Sequence, residues 1–230
     1  MPGISIPIYI VGNGSNLLVG DKGFRGAIIQ LYKSMGTFQV EGNQITAQAG
    51  CSLAQIANAA LDAALTGFEF AAGIPGTLGG AVVMNAGAYG GEMKDVLTSV
   101  RVMTEEGEIM ELPAEELGLG YRTSIIQEKR YIVLGAVISL TEGKKEEIKA
   151  QMDDLRQKRV SKQPLEYPSA GSTFKRPEGY FAGKLIQDSG LKGFTVGGAQ
   201  VSEKHSGFVI NKGNATAADV MELIRQVTAK

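Results

Sequence analysis

The apolar positions of the chain change period several times, and each change marks an element. Residues 4–11 (ISIPIYIV) form a β-branched apolar run, the pattern of a buried strand, and feed into Gly12-Asn13-Gly14-Ser15-Asn16. Short strand-like segments follow at 27–31, 37–40 and 44–49, the last two separated by a Gly42-Asn43 turn. Between 52 and 65 the spacing changes to that of a helix: Leu53, Ile56, Ala57, Ala60, Leu61 and Ala64 share one face, Ser52 is an N-cap and Gly67 lies just past the end. Strands at 96–103 and 109–112 flank Glu105-Glu106-Gly107 as a hairpin. A short turn at 115–117 then leads to Tyr121-Arg122-Thr123-Ser124, and 131–140 is a strongly apolar strand.

At Thr141 the composition changes. Residues 142–159 read as a charged helix with Ile148, Met152 and Leu155 on one face and Arg156, Lys158 and Arg159 in its last turn, where cations suit the negative end of the helix dipole. This helix is the natural boundary between a domain of residues 1–142 and a smaller one of residues 143–230. The second contains a glycine-serine turn at Gly171-Ser172, a helix near 180–189, a strand at 208–211 and a final helix. Thr216 caps that helix with Asp219 in the capping-box position, and Val220, Leu223, Ile224 and Val227 form its apolar face. Many short strands with few helices argue for an α+β fold rather than a doubly wound one.

One stretch stands apart. Residues 71–91 (AAGIPGTLGGAVVMNAGAYGG) contain seven glycines and no charge, with Ile74, Leu78, Val82, Val83 and Met84 between them. A flexible linker is polar between its glycines; this segment is instead a buried, sharply turning backbone. It fits close approach to a large ligand, with a tight packing crossover and no ligand as the alternative. Gly12 to Asn16 likewise reads either as a nest of amides for phosphate oxygens or as a plain hairpin turn.

Composition narrows the chemistry. Glycine is 31 of 230 residues, nearly double the usual ~7%, and the excess lies in these loops. A net charge of −1 gives no electrostatic reason to expect nucleic acid or an anionic membrane as partner. One cysteine, Cys51, and one histidine, His205, exclude a disulfide framework and a multi-histidine metal site. Cys51 reads as a small packing residue and His205 as a hydrogen-bonded structural one. With no run of about 18 apolar residues and no signal-peptide pattern, a cytoplasmic protein without a membrane partner is expected.

Five ordered blocks carry a resemblance: GNGSNLLV from Gly12, AGIPGTLGGAVVMNAGAYGGE from Ala72, YRTS from Tyr121, SAGSTFKRP from Ser169 and, more weakly, KHSGFVIN from Lys204. Together they resemble the UDP-N-acetylenolpyruvoylglucosamine reductase family, in its subclass without a tyrosine-bearing insertion. The resemblance implies an FAD-binding domain of the vanillyl-alcohol-oxidase type followed by a smaller α+β substrate domain. It makes Gly12, Asn13, Gly14, Ser15 and Asn16 the pyrophosphate holders. Gly73, Ile74, Pro75, Gly76 and Gly80 would line the rest of the FAD, with Asn85, Gly87, Ala88 and Tyr89 closing over it.

By the same resemblance NADPH delivers hydride to the flavin, which passes it to the enolpyruvyl group of a UDP-sugar in peptidoglycan synthesis. Arg122 would steady the resulting enolate and Ser172 would be the proton donor. Arg159, Lys162, Lys175 and Arg176 would be cations for the substrate's phosphates or carboxylate. No metal is implied, and a monomer is expected. Read by themselves, Arg122 is equally a surface arginine and Ser172 a local turn serine. Against the family pattern the chain lacks most of a strand-helix-strand segment ahead of Gly12 and the segment with a catalytic glutamate after the last helix. The expectation is therefore a chain truncated at both ends, with weakened FAD retention and impaired turnover. Two other readings are another FAD-linked oxidase or dehydrogenase of the same fold and a non-catalytic sugar-nucleotide-binding fragment.

Overall fold

A computed structural model describes residues 6–230, which form two compact units. The first holds residues up to 15 together with 26–156, and the second holds 16–25 with 157–230. The division falls within the helix Lys145–Lys162. The 142/143 boundary read from composition lies ahead of that helix, and the inclusion of 16–25 in the second unit rests on long-range contacts that composition does not carry.

The first unit is built on an antiparallel sheet in the order Phe38–Glu41, Gln44–Gln48, Ile132–Ser139, Leu97–Met103, Ile109–Pro113. The strand Gln44–Gln48 shows why: Ile45 and Ala47 are buried while the alternating Gln44 and Thr46 face solvent, the period of a half-buried strand. The helix Leu53–Asp62 buries Leu53, Ile56, Ala57 and Ala60 in the same core, and Ser52 and Gln55 form a reciprocal capping box at its start. Phe68, Leu78, Val82, Val100 and Ile138 complete that core, each contributing about 1.5–3 kcal/mol relative to exposure.

Two expectations need correcting here. The run at 4–11 is not a buried strand where it is described: residues 4 and 5 lie outside the described residues, and the strand that forms, Ile8–Val11, pairs among the described residues in parallel with Ala27–Gln30 alone and leaves Ile8 61% and Tyr9 44% exposed. An apolar run specifies a strand but not what covers it. Nor is 71–91 all irregular backbone, because Leu78–Val83 is helical despite Gly79 and Gly80. Each glycine costs a helix up to about 1 kcal/mol against alanine. Gly79 is retained because a Cβ there would stand 2.9 Å from the Ala49 Cβ, so packing overrides propensity.

The second unit has a four-stranded antiparallel sheet in the order Ser169–Ser172, Phe208–Asn211, Ala199–Val201, Thr195–Val196. The helix Ala217–Thr228 covers it, with Leu223 and Val227 packed among Ile186, Leu191, Ala199, Val201 and Val209. Its capping box of Thr216 and Asp219 is present. From the 16–25 segment, the Asp21 carboxylate accepts from the Ala217 and Ala218 amides at 2.7 and 3.1 Å, satisfying donors that a helix start otherwise leaves orphaned. Among the described residues no helix is long and apolar enough to cross a membrane.

Candidate functional site

In the first unit the two glycine-rich loops meet. The Ser15 hydroxyl donates to the Pro75 carbonyl at 2.8 Å, and a Cβ on Gly12 would overlap the Thr77 hydroxyl. Gly12 is therefore fixed by close approach of one loop to the other. Gly76 lies beside Ser15, with a would-be Cβ 3.5 Å from its Oγ. Among the described residues no protein acceptor takes the Asn13, Gly14 or Ser15 amides. The amides of Leu78 and Gly79, by contrast, are bonded to the Cys51 and Ala49 carbonyls. Gly73, Pro75 and Gly80 are exposed while Thr77, Leu78 and Gly79 are buried, which lays the predicted cofactor residues along an accessible, uncharged surface. Donors without partners on such a surface are the chemistry that a dinucleotide's pyrophosphate requires.

Beyond that surface the loop is tied down by Asn85, which is fully buried. Its Nδ2 donates to Glu92 Oε2 at 2.7 Å and to the Gly120 carbonyl at 3.1 Å, and its Oδ1 accepts from the Lys94 amide at 2.9 Å. The side chain predicted to close over the cofactor thus bonds to its own protein and shapes the loop. Asn85→Ala would leave the Lys94 amide without its acceptor, at about 1–3 kcal/mol, and would remove one donor each from Glu92 and from the Gly120 carbonyl, which keeps the Thr123 amide, at about 0.5–1.5 kcal/mol apiece. Urea unfolding should show a loss of about 3 kcal/mol, and a loss below about 0.5 kcal/mol, the size of an ordinary surface change, would refute this hub.

Arg122 joins the same corner. Its Nη2 donates to the Gly87 carbonyl at 3.1 Å, with Nη1 at 3.4 Å from the Asn85 carbonyl and the guanidinium 5.2 Å from the Tyr121 ring. A guanidinium has five N–H donors in a planar fork, so others remain for an external carboxylate. The following residues hold it in place: Ser124 Oγ and Gln127 Nε2 both donate to the Val83 carbonyl, at 2.7 and 2.8 Å. Strain gathers here too. Seven non-glycine residues among those described have positive φ, and Asn85 (40°), Tyr89 (54°) and Arg122 (57°) are three of them. Such conformations cost about 1–3 kcal/mol and collect at functional sites. Gly87 and Ala88 form one strand of the small hairpin whose tip is Tyr89-Gly90.

Ser172 lies in the second unit. It ends a strand rather than occupying the expected turn, and between Ser169↔Ile210 and Ser172↔Phe208 the pairing slips by one residue. Gly171, at φ 88°, supplies the bulge, a device that re-aims a side chain. The Ser172 hydroxyl is exposed and stands 3.5 Å from the Gly207 carbonyl, at the outer limit of a hydrogen bond, so it is directed without being held.

The same unit contains Asn16, Arg159, Lys162, Lys175 and Arg176. Lys162, Lys175 and Arg176 are exposed, Arg159 is half-buried, and Arg176 stacks on Phe181 at 4.6 Å. His205 is hydrogen-bonded and packed: its Nδ1 accepts from the Gly207 amide at 3.1 Å, its ring meets Phe208 edge-on, and burial, assisted by the Lys162 charge, lowers its pKa. Cys51 is a buried thiol directed at the Thr37 carbonyl, and burial pushes its pKa up. A cleft of about 620 Å³ between Phe38, Val40, Gln55, Asn58 and Asp62 contains none of the predicted site residues. The sequence reading missed Glu69 and Glu92. Buried Glu69 accepts from Thr66 Oγ1 and the Gly67 amide and anchors the start of the glycine-rich stretch. The one signal for either was a carboxylate at each edge of an uncharged segment.

Residues 163–230 match the family described as UDP-N-acetylenolpyruvoylglucosamine reductase, C-terminal domain, and residues 4–113 match an FAD binding domain. Proteins named UDP-N-acetylenolpyruvoylglucosamine reductase are 61% identical in Caldanaerobacter subterraneus subsp. tengcongensis, over 96% of this chain and 73% of that protein, and 56% identical in Clostridioides difficile, over 96% and 72%. The crystal structure of the Thermus caldophilus reductase superposes with a TM-score of 0.89 at 41% identity, over 99% of this chain and 83% of that one. An FAD-binding domain followed by the reductase C-terminal domain is the α+β architecture that the five blocks implied. The chain belongs to the UDP-N-acetylenolpyruvoylglucosamine reductase family.

Proposed function

We propose that this chain reduces the enolpyruvyl group of UDP-N-acetylglucosamine enolpyruvate to give UDP-N-acetylmuramate for peptidoglycan synthesis, working as a cytoplasmic monomer with no nucleic-acid or membrane partner. The observation that carries the reading is the meeting of two uncharged glycine-rich loops at Gly12–Thr77 and Ser15–Pro75, in a chain of this family. These residues fit FAD: Asn13, Gly14 and Ser15 offer amides to the pyrophosphate, Asn16 follows them in the chain, and Gly73, Ile74, Pro75, Gly76 and Gly80 give the dinucleotide a close, uncharged wall. When bound, FAD supplies the hydride that it receives from NADPH.

The chain's own residues supply the rest. Adding hydride to a carbon conjugated with a carboxylate places negative charge on that carboxylate, and Arg122, fixed by Gly87 and Asn85, is the cation for it. A preorganised donor of this kind is worth about 10²–10³ in rate because it binds the transition state more strongly than the ground state. Ser172 gives its proton to the adjacent carbon, and Arg159, Lys162, Lys175 and Arg176 hold the phosphates. Tyr89, on the exposed hairpin tip, and Ala88 beside it border the cofactor.

The test is an anaerobic sequence of additions. FAD titrated into the protein should give a bound-flavin spectrum, NADPH should bleach it, and the enolpyruvyl nucleotide should restore it. If the bleached flavin recovers its colour with oxygen but not with the nucleotide, the substrate assignment is wrong.

A further inference from the structure

The group that aims Ser172 can be traced one step further back. The Gly207 peptide is held at both ends: its amide donates to His205 Nδ1 at 3.1 Å, and its carbonyl accepts from the Thr173 amide at 2.8 Å with the Ser172 hydroxyl 3.5 Å away. Gly207 is wedged between the two side chains, since a Cβ there would lie 3.0 Å from Ser172 Oγ and 3.1 Å from His205 Cε1. The imidazole is itself anchored. Ser202 Oγ accepts from both the Lys204 and His205 amides at 3.2 Å, fixing the turn, and the ring packs 4.9 Å from Phe208, the cross-strand partner of Ser172.

We propose that His205 is a positioning residue for Ser172, its Nδ1 holding the Gly207 peptide against which the serine hydroxyl is set. The inference rests on Ser172 being the proton donor. It requires an imidazole that accepts at Nδ1 and carries its proton on Nε2. Burial and the nearby Lys162 charge both favour that neutral form. A cationic imidazole would turn an N–H toward the Gly207 N–H and release the peptide.

Four variants separate the possibilities. His205→Ala should slow reoxidation of the NADPH-reduced enzyme by the enolpyruvyl nucleotide about tenfold to a hundredfold, the scale of a misplaced catalytic group, with reduction by NADPH unchanged. His205→Asn, whose Oδ1 can take the place of Nδ1, should recover most of that rate, and His205→Gln, which reaches instead toward the Nε2 position, should not. On a Ser172→Ala background, His205→Ala should add no further loss, because there is no hydroxyl left to aim. With one histidine in the sequence, its imidazole ¹⁵N resonances are unambiguous and should show the Nε2–H tautomer at neutral pH. An Nδ1–H or cationic ring, a His205→Ala enzyme as fast as the unaltered one, or losses that multiply in the double variant would each overturn the inference while leaving Ser172 in its role. A Ser172→Ala enzyme with no slowing would remove the proton-donor assignment, and the positioning role with it.

Discussion

Replacing Ser172 by alanine should slow reoxidation of the reduced enzyme by the enolpyruvyl nucleotide about 10²–10⁴-fold, the contribution of a positioned proton donor, and leave reduction by NADPH at its original rate. The selectivity follows from where the hydroxyl stands. It is exposed and stands 3.5 Å from the Gly207 carbonyl, which keeps its bond from the Thr173 amide, so its removal orphans no buried group. The strand around it is fixed by backbone pairing at Ser169↔Ile210 and Ser172↔Phe208 and by the Thr173 amide, none of which alanine disturbs. Stability should therefore change by less than about 0.5 kcal/mol. Rapid mixing of the reduced variant with substrate separates the two half-reactions. Slowing of both alike would point to a general loss of structure instead of a lost proton.

The second large effect should come from a methyl group. Gly12→Ala places a Cβ onto the Thr77 hydroxyl, with Thr77 Cγ2 at 3.2 Å and Cβ at 3.3 Å behind it. Thr77 is buried at the start of Leu78–Val83 and cannot retreat cheaply. Overpacking of this kind costs about 1–3 kcal/mol. Here it would part the two loops that together make the cofactor's wall, weakening FAD binding about tenfold to a hundredfold. The Thr77 side chain makes no cap hydrogen bond, so Thr77→Ala is a mild change by itself. Combined with Gly12→Ala, it removes the atoms that clash and should restore most of the affinity. Titration of FAD by fluorescence quenching would check both. A double variant no better than Gly12→Ala would mean that the glycine matters for its backbone and not for the space it leaves to Thr77.

What could be read from residues alone divides along physical lines. The helices Leu53–Asp62 and Ala217–Thr228 were legible because an apolar period and a capping residue agree over ten or more positions. The strand Phe208–Asn211 was legible as a compact apolar run. Leu78–Val83 was not, since its glycines argue against a helix and only the contact of Gly79 with Ala49 argues for one. Thr195–Val196 and Ala199–Val201 are too short for any periodicity to show.

The same limit governs the site. Glycine loops and an arginine in a recognisable block announce themselves, and the loops do converge in the first unit. The Asn85 hub depends on Gly120, 35 positions away, and the Ser172 bulge depends on pairing with a strand near residue 208. Neither partner is visible in local sequence.

Asp21 bears on how such proteins can be rearranged. The chain passes between its two units three times, because 16–25 leaves the first, joins the second and returns. A recombinant that grafted residues 157–230 onto a different cofactor domain would deprive Ala217 and Ala218 of the carboxylate that meets their amides. Exchange between relatives should therefore preserve the last helix only when two separated stretches are inherited together, which makes the second unit a poor module for single-junction shuffling.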